Sequence, residues 1–301
     1  MPDRRGLVVV RCGDESLHPA WVSSDRTWDL AVSSFSRLDR PYPEADYVHR
    51  FRGGKWDGLH DFFSSFPETL DAYDYFWLPD DDIAAEPSAV NGLFEAMRRY
   101  GFELAQPSLS PSSYLSHLIT LTNPAFEYRT VNFVELMAPA LSRSLLHKTL
   151  PLFATTRSGF GVDFIWQRLV SDPPRQVAIV DSMSVTHTRP VGGALHRMLE
   201  SQGMTAARQE QDQFLERHGG RITREATIGG RLRSGQFVRS QRLAATIAAL
   251  GWMSRPSGNR GFAAPIAVPR FLWWTLRHWL FSVTSPLNID RLELPRAQTA
   301  D

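Results

Sequence analysis

A run of aromatic residues followed by three aspartates is the feature of this sequence best suited to chemistry. Residues 73–78 are Tyr-Asp-Tyr-Phe-Trp-Leu, and Pro79 separates them from Asp80, Asp81 and Asp82. The apolar part predicts a short buried strand that ends in a turn. The carboxylates then lie beyond the carboxyl end of the strand, where open α/β sheets bind ligands. Adjacent carboxylates repel one another unless cations neutralise them, and hard oxygen ligands suit Mg²⁺ or Mn²⁺, which bind diphosphates. A solvated acidic turn is the alternative, but the aromatic strand favours a metal site.

Length and composition indicate a folded protein with a sizeable core. The chain has 301 residues, of which 43% are hydrophobic and 22% charged, enough for one large domain or two ordinary ones. Cys12 is the only cysteine, which excludes an intrachain disulfide and a cysteine zinc site and fits a reducing compartment. The apolar residues 7–10 are too few for a secretory signal, and no run of 18 apolar residues is present. We therefore expect a cytoplasmic protein.

The two parts of the chain differ in charge. Residues 191–301 carry 15 arginines against 8 acidic residues, whereas the first 190 residues carry 18 basic against 24 acidic ones. Residues 271–281 are apolar nearly all round, unlike an ordinary surface helix. This segment either packs on the rest of the protein or another subunit, or makes a peripheral contact with an anionic membrane surface through its aromatic residues and arginines. We expect no nucleic-acid binding, because no recognised module accompanies the arginines.

Strands and helices alternate along the first 190 residues. We predict strands at 7–10, 28–35, 47–51, 75–78, 103–107, 131–137 and 177–180, and helices at 56–66, from a Ser88 cap to Gly101, at 141–150 and at 161–170. This alternation predicts an α/β fold with a central mixed, mostly parallel sheet. After residue 193 we predict Arg-rich helices, with loops or hinges at the glycine pairs, including Gly229-Gly230. We accordingly expect a catalytic domain at 1–193 and a helical, Arg-rich and aromatic region at 194–301.

Several separated blocks of the sequence occur in an order known from one family. They are Trp-Leu-Pro-Asp-Asp-Asp-Ile at 77–83, Ala-Gln-Pro-Ser-Leu at 105–109, Phe-Val-Glu-Leu-Met-Ala-Pro at 133–139, Gly-Val-Asp at 161–163, and Val180-Asp181 followed by His187. Over roughly residues 7–193 the chain resembles an uncharacterised family, the domain of unknown function numbered seven hundred and seven. That family is in turn similar to GT-A glycosyltransferases. The resemblance implies a GT-A-like fold and metal-dependent transfer of a sugar from a nucleotide-sugar donor to a glycan or glycolipid acceptor.

The same resemblance implies a metal site and a catalytic base. The aspartate triplet matches the Asp-x-Asp element, with Asp82 as the direct ligand of Mn²⁺ or Mg²⁺ and Asp80 assisting it. His187 matches a late third ligand. Asp163 matches the catalytic base, although only one acid stands at this position because Gly161 and Val162 precede it.

The remaining implied roles concern the two substrates. The resemblance places the donor beside Arg11, Asp14, Lys55 and Asp81, and the acceptor beside Glu135 and Gly161. Two of these assignments have alternatives: Glu135 either contacts acceptor hydroxyls or pairs with an arginine such as Arg143, because an unpaired buried acid is costly, and Lys55 is either a phosphate contact or an ordinary surface lysine. The lone histidines His60 and His117 are predicted to be structural.

Two other functions remain open. Nucleotidyl or phosphoryl transfer also uses clustered carboxylates, on two metals, and would need a second acidic ligand near the triplet, for which Asp181 is the obvious candidate. A non-catalytic protein that keeps the fold for partner or lipid binding is the third alternative.

Overall fold

The computed structural model describes residues 6–190, 204–253 and 273, and within them strands and helices alternate. The strands are β1 Gly6–Cys12, β2 Trp28–Ser34, β3 Tyr47–Arg50, β4 Tyr75–Trp77, β5 Ile83–Ala84, β6 Leu104–Leu109, β7 Phe126–Val131, β8 Ala140–Ser142, β9 Val177–His187, β10 Thr227–Leu232 and β11 Phe237–Val238. The helices are α1 Lys55–Ser65, α2 Thr69–Ala72, α3 Pro87–Tyr100, α4 Arg143–Phe153, α5 Pro173–Gln176, α6 Met204–Arg217 and α7 Gln241–Met253, with 3₁₀ turns at His18–Trp21, Leu118–Thr120, Val162–Phe164 and Trp166–Arg168.

A mixed sheet forms the centre of the molecule. Its order is β11-β10-β7-β9-β6-β8-β4-β1-β2-β3, and β5 pairs with β9 beside this path. Among the described strands of the path, β7, β8 and β11 run against the other seven. The predicted α/β fold with a mixed, mostly parallel sheet is therefore confirmed.

The strand β1 shows why the sheet is covered on both faces. Successive side chains of a strand point to opposite faces, and all four residues from Leu7 to Val10 are buried. Leu7 and Val9 pack in one hydrophobic cluster with aromatic residues of α1, whereas Val8 and Val10 pack in the other with the apolar face of α3. An uninterrupted apolar strand is typical of a sheet buried between two layers.

The helix α3 begins and ends for identifiable local reasons. It was expected to be capped by Ser88, but it begins at Pro87, after Glu86 in an extended conformation, and no side chain caps it. Proline suits the first helical position because its φ is already helical and it needs no amide partner. The predicted end is confirmed, since Gly101 adopts the left-handed conformation with φ of 68°.

Two predicted elements are wrong, and both concern candidate site residues. Residues 132–137 form no strand, because the strand β7 ends at Val131 and the following amides bond elsewhere; the Glu135 amide, for example, donates to Gln106 Oε1. The helix predicted at 161–170 is replaced by two 3₁₀ turns, Val162–Phe164 and Trp166–Arg168. Asp163 therefore lies in a tight turn and has no helix dipole behind it.

The strand β9 is longer than predicted. It continues past Asp181 to His187, because its later residues keep partners on both sides. Val185 pairs with Leu109 of β6, and His187 pairs with Ile83 of β5. The extension carries His187 to the segment that contains the aspartate triplet.

The described residues after 203 contain strands as well as the predicted helices. The strand β10 pairs antiparallel with β7 and so joins the central sheet. Gly229 and Gly230, expected in a loop, lie inside it: a Cβ would come within 2.7 Å of the Val238 carbonyl at Gly229 and within 2.5 Å of the Tyr128 carbonyl at Gly230. Glycine in a strand marks such a close backbone approach.

Of the predicted aromatic segment 271–281, all residues but Trp273 lie outside the described part of the chain. Among the helices that the structure describes, none has the length and hydropathy needed to cross a membrane. Contact with a membrane surface stays a prediction.

Candidate active site

The aspartate triplet lies at the carboxyl ends of two neighbouring parallel strands. Trp77, the last residue of β4, pairs with Val8 of β1, and β1 continues four residues further, so the same register brings the start of its following loop beside the triplet. The Gly13 amide accordingly donates to Asp81 Oδ2 at 2.8 Å. This is the edge at which sheets of this kind bind their ligands.

Asp82 and His187 form a largely buried pair. His187 Nε2 lies 3.3 Å from Asp82 Oδ2, and the two side chains are 6% and 14% exposed, respectively. The other oxygen, Asp82 Oδ1, is buried and has no hydrogen-bond partner. An unsatisfied buried carboxylate oxygen is costly and suits a cation, so the residues present fit a divalent metal.

The far side of the imidazole fixes its tautomer. His187 Nδ1 lies 2.9 Å from the Tyr114 carbonyl, which only accepts, so Nδ1 carries the proton and Nε2 keeps a lone pair when the ring is neutral. Metal-binding histidines are commonly oriented in this way. Burial lowers the pKa of His187, but the bond and charge of Asp82 outweigh it, and the pKa is raised overall.

Asp80 is engaged with Lys55. Lys55 Nζ, at the start of α1, donates to Asp80 Oδ1 at 2.6 Å and to the Leu136 carbonyl at 2.7 Å. Lys55 is only 15% exposed, so it is not an ordinary surface lysine. Within residues 6–190 and 204–253, no three His, Cys, Asp or Glu side chains converge as a preformed metal site. Asp82 and His187 lie together, whereas Asp80 is paired with the ammonium group of Lys55.

The residues predicted to contact the donor are divided between a buried and an exposed group. Arg11 is 4% exposed, and its guanidinium donates to Ser33 Oγ at 2.9 Å and to the carbonyls of Phe51 and Gly53 at 3.0 and 2.9 Å. It holds the loop that leads to α1. Asp14 is exposed and accepts a hydrogen bond from Ser36. Contact of either residue with the donor stays a prediction.

Two buried acids lie on the other side of the site. Glu135 is 3% exposed, and its Oε1 has no partner; Arg143 bonds instead to Asp74, so the pair with Arg143, one form of the two alternatives, is not present. Burial raises the pKa of Glu135 to about 7, against the nearby charges of His117 and His187. Asp163 Oδ1 accepts the Gly161 amide at 3.2 Å. Burial likewise raises its pKa to about 7, against His117 and this amide.

His117 and Glu225 interact with the acids Glu135 and Asp163, and the sequence alone did not indicate that they belong to the site. His117 Nδ1 lies 2.5 Å from Glu225 Oε1, and its ring contacts Phe133 with centroids 4.5 Å apart. Burial lowers the pKa of His117, but Glu225, Glu135 and Asp163 together raise it to about 9, so the ring is a cation at neutral pH. One feature of the sequence sets Glu225 apart: it is the last acidic residue before residues 226–289, which contain no Asp or Glu.

Asp181 does not extend the aspartate cluster. Both of its oxygens are bound by Arg129, at 2.8 and 3.0 Å, and neither side chain is exposed. The Asn123 amide adds a third bond at 2.7 Å. Asp181 is therefore committed to a buried ion pair inside the sheet.

The fold and site define an α/β protein with a group of acidic and histidine side chains at the carboxyl edge of its sheet. No protein-family model matches the chain and no curated protein sequence matches it, so the resemblance to the numbered family stays a prediction.

Several solved structures are similar in fold to this chain at low sequence identity. GalNAc-T7, crystallised with UDP, GalNAc and Mn²⁺, is 9% identical, with a TM-score of 0.46 over 71% of this chain and 51% of that one. Residues 1–349 of TarS from S. aureus are 11% identical, with a TM-score of 0.41 over 71% of each chain. A mycobacterial protein is 17% identical, with a TM-score of 0.43 over 69% of this chain and 75% of that one. At this similarity, the roles of the site residues rest on the chain's own geometry.

Proposed function

We propose that the protein is a metal-dependent glycosyltransferase that transfers a sugar from a nucleotide-sugar donor to a glycan or glycolipid acceptor. The observation that carries the proposal is the largely buried Asp82–His187 pair, with one carboxylate oxygen unpartnered, at the edge where sheets of this kind bind ligands. Asp82 and His187 would hold Mn²⁺ or Mg²⁺, and oxygen ligands with one imidazole suit Mn²⁺ somewhat better. When bound, the cation stabilises the negative charge of a departing diphosphate.

The chain's own groups supply the other requirements of glycosyl transfer. Asp163 accepts the proton of the acceptor hydroxyl while the bond between that oxygen and the sugar forms and the bond from sugar to diphosphate breaks. Its pKa of about 7 makes it a stronger base than an ordinary carboxylate, and a base near the working pH is the most effective. Glu135 and Gly161 line the acceptor side, and Lys55 holds Asp80 on the donor side.

Nucleotidyl or phosphoryl transfer has less support. That chemistry would require a second acidic ligand beside the triplet, and the candidate Asp181 is occupied by Arg129. A role in binding without catalysis has no specific observation in its favour.

Ligand-induced thermal stabilisation tests the proposal. Nucleoside-diphosphate sugars should raise the Tm of the full chain in the presence of Mn²⁺ and much less in its absence, because a ligand that binds only the folded state stabilises it. Asp82→Asn should abolish the metal-dependent part. Asp71→Asn is the matched control, since Asp71 is exposed on α2 and should leave the response unchanged.

The outcomes separate the alternatives. Stabilisation by nucleoside triphosphates alone would favour nucleotidyl transfer, and the absence of any nucleotide response would favour a binding role. A full metal-dependent response in Asp82→Asn would remove Asp82 from the ligand set. Incubation of a responding donor with candidate acceptors and detection of the released nucleoside diphosphate then test transfer itself.

A further inference from the structure

The helix α6 carries an acid that binds the backbone of the loop before Asp163. Glu210 Oε1 accepts hydrogen bonds from the Arg157 amide at 2.5 Å and the Thr156 hydroxyl at 3.0 Å. Glu210 Oε2 accepts the Ser158 amide at 3.2 Å. Burial would raise the pKa of Glu210, but these donors outweigh it and lower the pKa overall. The acid is thus held as an anion against one turn of backbone.

The loop 156–163 has an unusual backbone, which its own bonds do not fully fix. Gly159 and Gly161 have φ of +80° and +100°, a region costly for other residues. Internal bonds shape the loop itself: the Gly159 amide donates to Thr156 Oγ1 at 2.8 Å, the Phe160 amide to Ser158 Oγ at 3.1 Å, the Gly161 amide to Asp163 Oδ1 at 3.2 Å and the Val162 amide to the Gly159 carbonyl at 3.0 Å. Because the Gly161 amide ties the Asp163 carboxylate to the loop, the carboxylate moves with the loop, and the contacts of the loop with neighbouring elements set its place.

Those contacts come from two sides. On one side, Gly159 lies against the indole of Trp56, so closely that a Cβ would come within 1.8 Å of its Nε1; Trp56 follows the Lys55 that binds Asp80. On the other side, α6 supplies Glu210 and also Phe214, which lies against Gly161. The loop that bears Asp163 is therefore held between the helix of the donor side and a helix from beyond residue 203.

We propose that Glu210 is a positioning residue that sets the place of Asp163 through the loop 156–163, so that α6 is part of the transferase unit. This inference rests on the proposed function for its effect on turnover. Glu210 acts through the backbone amides and the Thr156 hydroxyl that it binds. Because misplacement of a reacting group by about 1 Å can cost about a hundredfold in rate, loss of this anchor should lower kcat.

The test compares Glu210→Gln with Glu216→Gln, an exposed acid on the same helix. Glutamine keeps one accepting oxygen but replaces the other with an NH₂ group, which would face a loop donor without accepting from it. Glu210→Gln should therefore speed hydrogen exchange at 156–161 by about tenfold or more. It should lower kcat by about ten- to a hundredfold, with the donor KM unchanged. Glu216→Gln should leave both unchanged. Thr156→Val, which removes the hydroxyl that links Glu210 to Gly159, should act in the same direction and serves if Glu210→Gln does not fold.

The two readouts separate failure of this inference from failure of the proposed function. Unchanged exchange at 156–161 in Glu210→Gln, or faster exchange with an unchanged kcat, overturns the positioning role. A wild-type protein that transfers no sugar overturns the proposed function instead, and hydrogen exchange still decides whether Glu210 fixes the loop.

Discussion

At the scale of single residues, the candidate site concentrates titratable groups whose pKa values are shifted from their ordinary ones. Glu135 and Asp163 are acids with pKa raised to about 7, and His117 is a base with pKa raised to about 9. Each shift links the charge of the site to the stability of the fold. The site can therefore be examined by unfolding experiments before any substrate is known.

Glu135→Gln should change how stability depends on pH. The pKa of Glu135 is about 7 in the folded protein, whereas its ordinary value is 4.5. The carboxyl therefore binds its proton more tightly in the folded than in the unfolded state. The folded state therefore loses stability from this group as pH rises from about 4.5 through 7, by up to about 3 kcal/mol. Glutamine carries no such penalty. The variant should therefore be more stable relative to wild type at pH 8 than at pH 5, which means a larger free energy of unfolding relative to that of wild type. Urea unfolding at both pH values measures it, with the exposed Glu95→Gln as control; an equal difference at both pH values would contradict the prediction.

Glu225→Gln should lower the pKa of His117 and weaken the fold in acid. A base whose pKa is raised on folding contributes stability that is fully present below its unfolded pKa of about 6.5 and is lost as pH rises through the folded value of about 9. Removal of the Glu225 charge should cost about 2 kcal/mol at pH 6 and little at pH 9.5. An NMR titration of the His117 ring gives the pKa directly. A ring that still titrates near pH 9 in the variant would show that Glu225 is not the cause.

At the scale of elements, the loop 156–163 offers a matched comparison of two glycines. Gly159→Ala requires a Cβ with φ of +80° and within 1.8 Å of Trp56, whereas Gly101→Ala requires φ of +68° with nothing within 4 Å. The second change should cost only the backbone strain, about 1 kcal/mol. The first adds displacement of a buried indole, so we expect roughly 3 kcal/mol or more. Equal losses in thermal or urea unfolding would mean that the loop moves away from Trp56 without cost.

The elements also show which information is local. Gly101 ends α3 and the apolar run ends in Asp80 through local chemistry, so both were predictable from the sequence. The positions of Gly229 and Gly230 were not, because glycine pairs usually indicate loops and here are required by a neighbouring strand. The importance of His117 and Glu210 was hidden for the same reason: their partners are 108 and about 54 residues away, and no spacing in one sequence indicates such contacts.

At the scale of the whole molecule, the described residues after 203 extend the sheet and place Glu210 and Glu225 beside residues of the candidate site. The strand β10 covers the edge of β7. The helix α7 is tied to the core by the Trp252 indole, which donates to the Leu121 carbonyl at 3.1 Å, and by Asn123 Nδ2, which donates to the Ala248 carbonyl at 2.7 Å. The sheet therefore contains strands from both sides of the domain boundary expected near residue 193. Truncation of the chain tests whether this boundary separates two independently folding domains.

A chain that ends at residue 190 should not fold into a stable monomer. It would leave β7 as an unpaired edge beside the exposed apolar surface that α7 covers, and such edges promote aggregation. It would also remove both Glu210 and Glu225 from the site. A chain that ends at residue 253 keeps all of these contacts and should unfold cooperatively without aggregation. Comparison of the two truncated chains therefore isolates the effect of residues 191–253. Size-exclusion chromatography and thermal unfolding by circular dichroism distinguish them. A monomeric, cooperatively unfolding chain of residues 1–190 would instead establish residues 1–193 as an independent domain and reduce α6, β10 and α7 to an accessory layer.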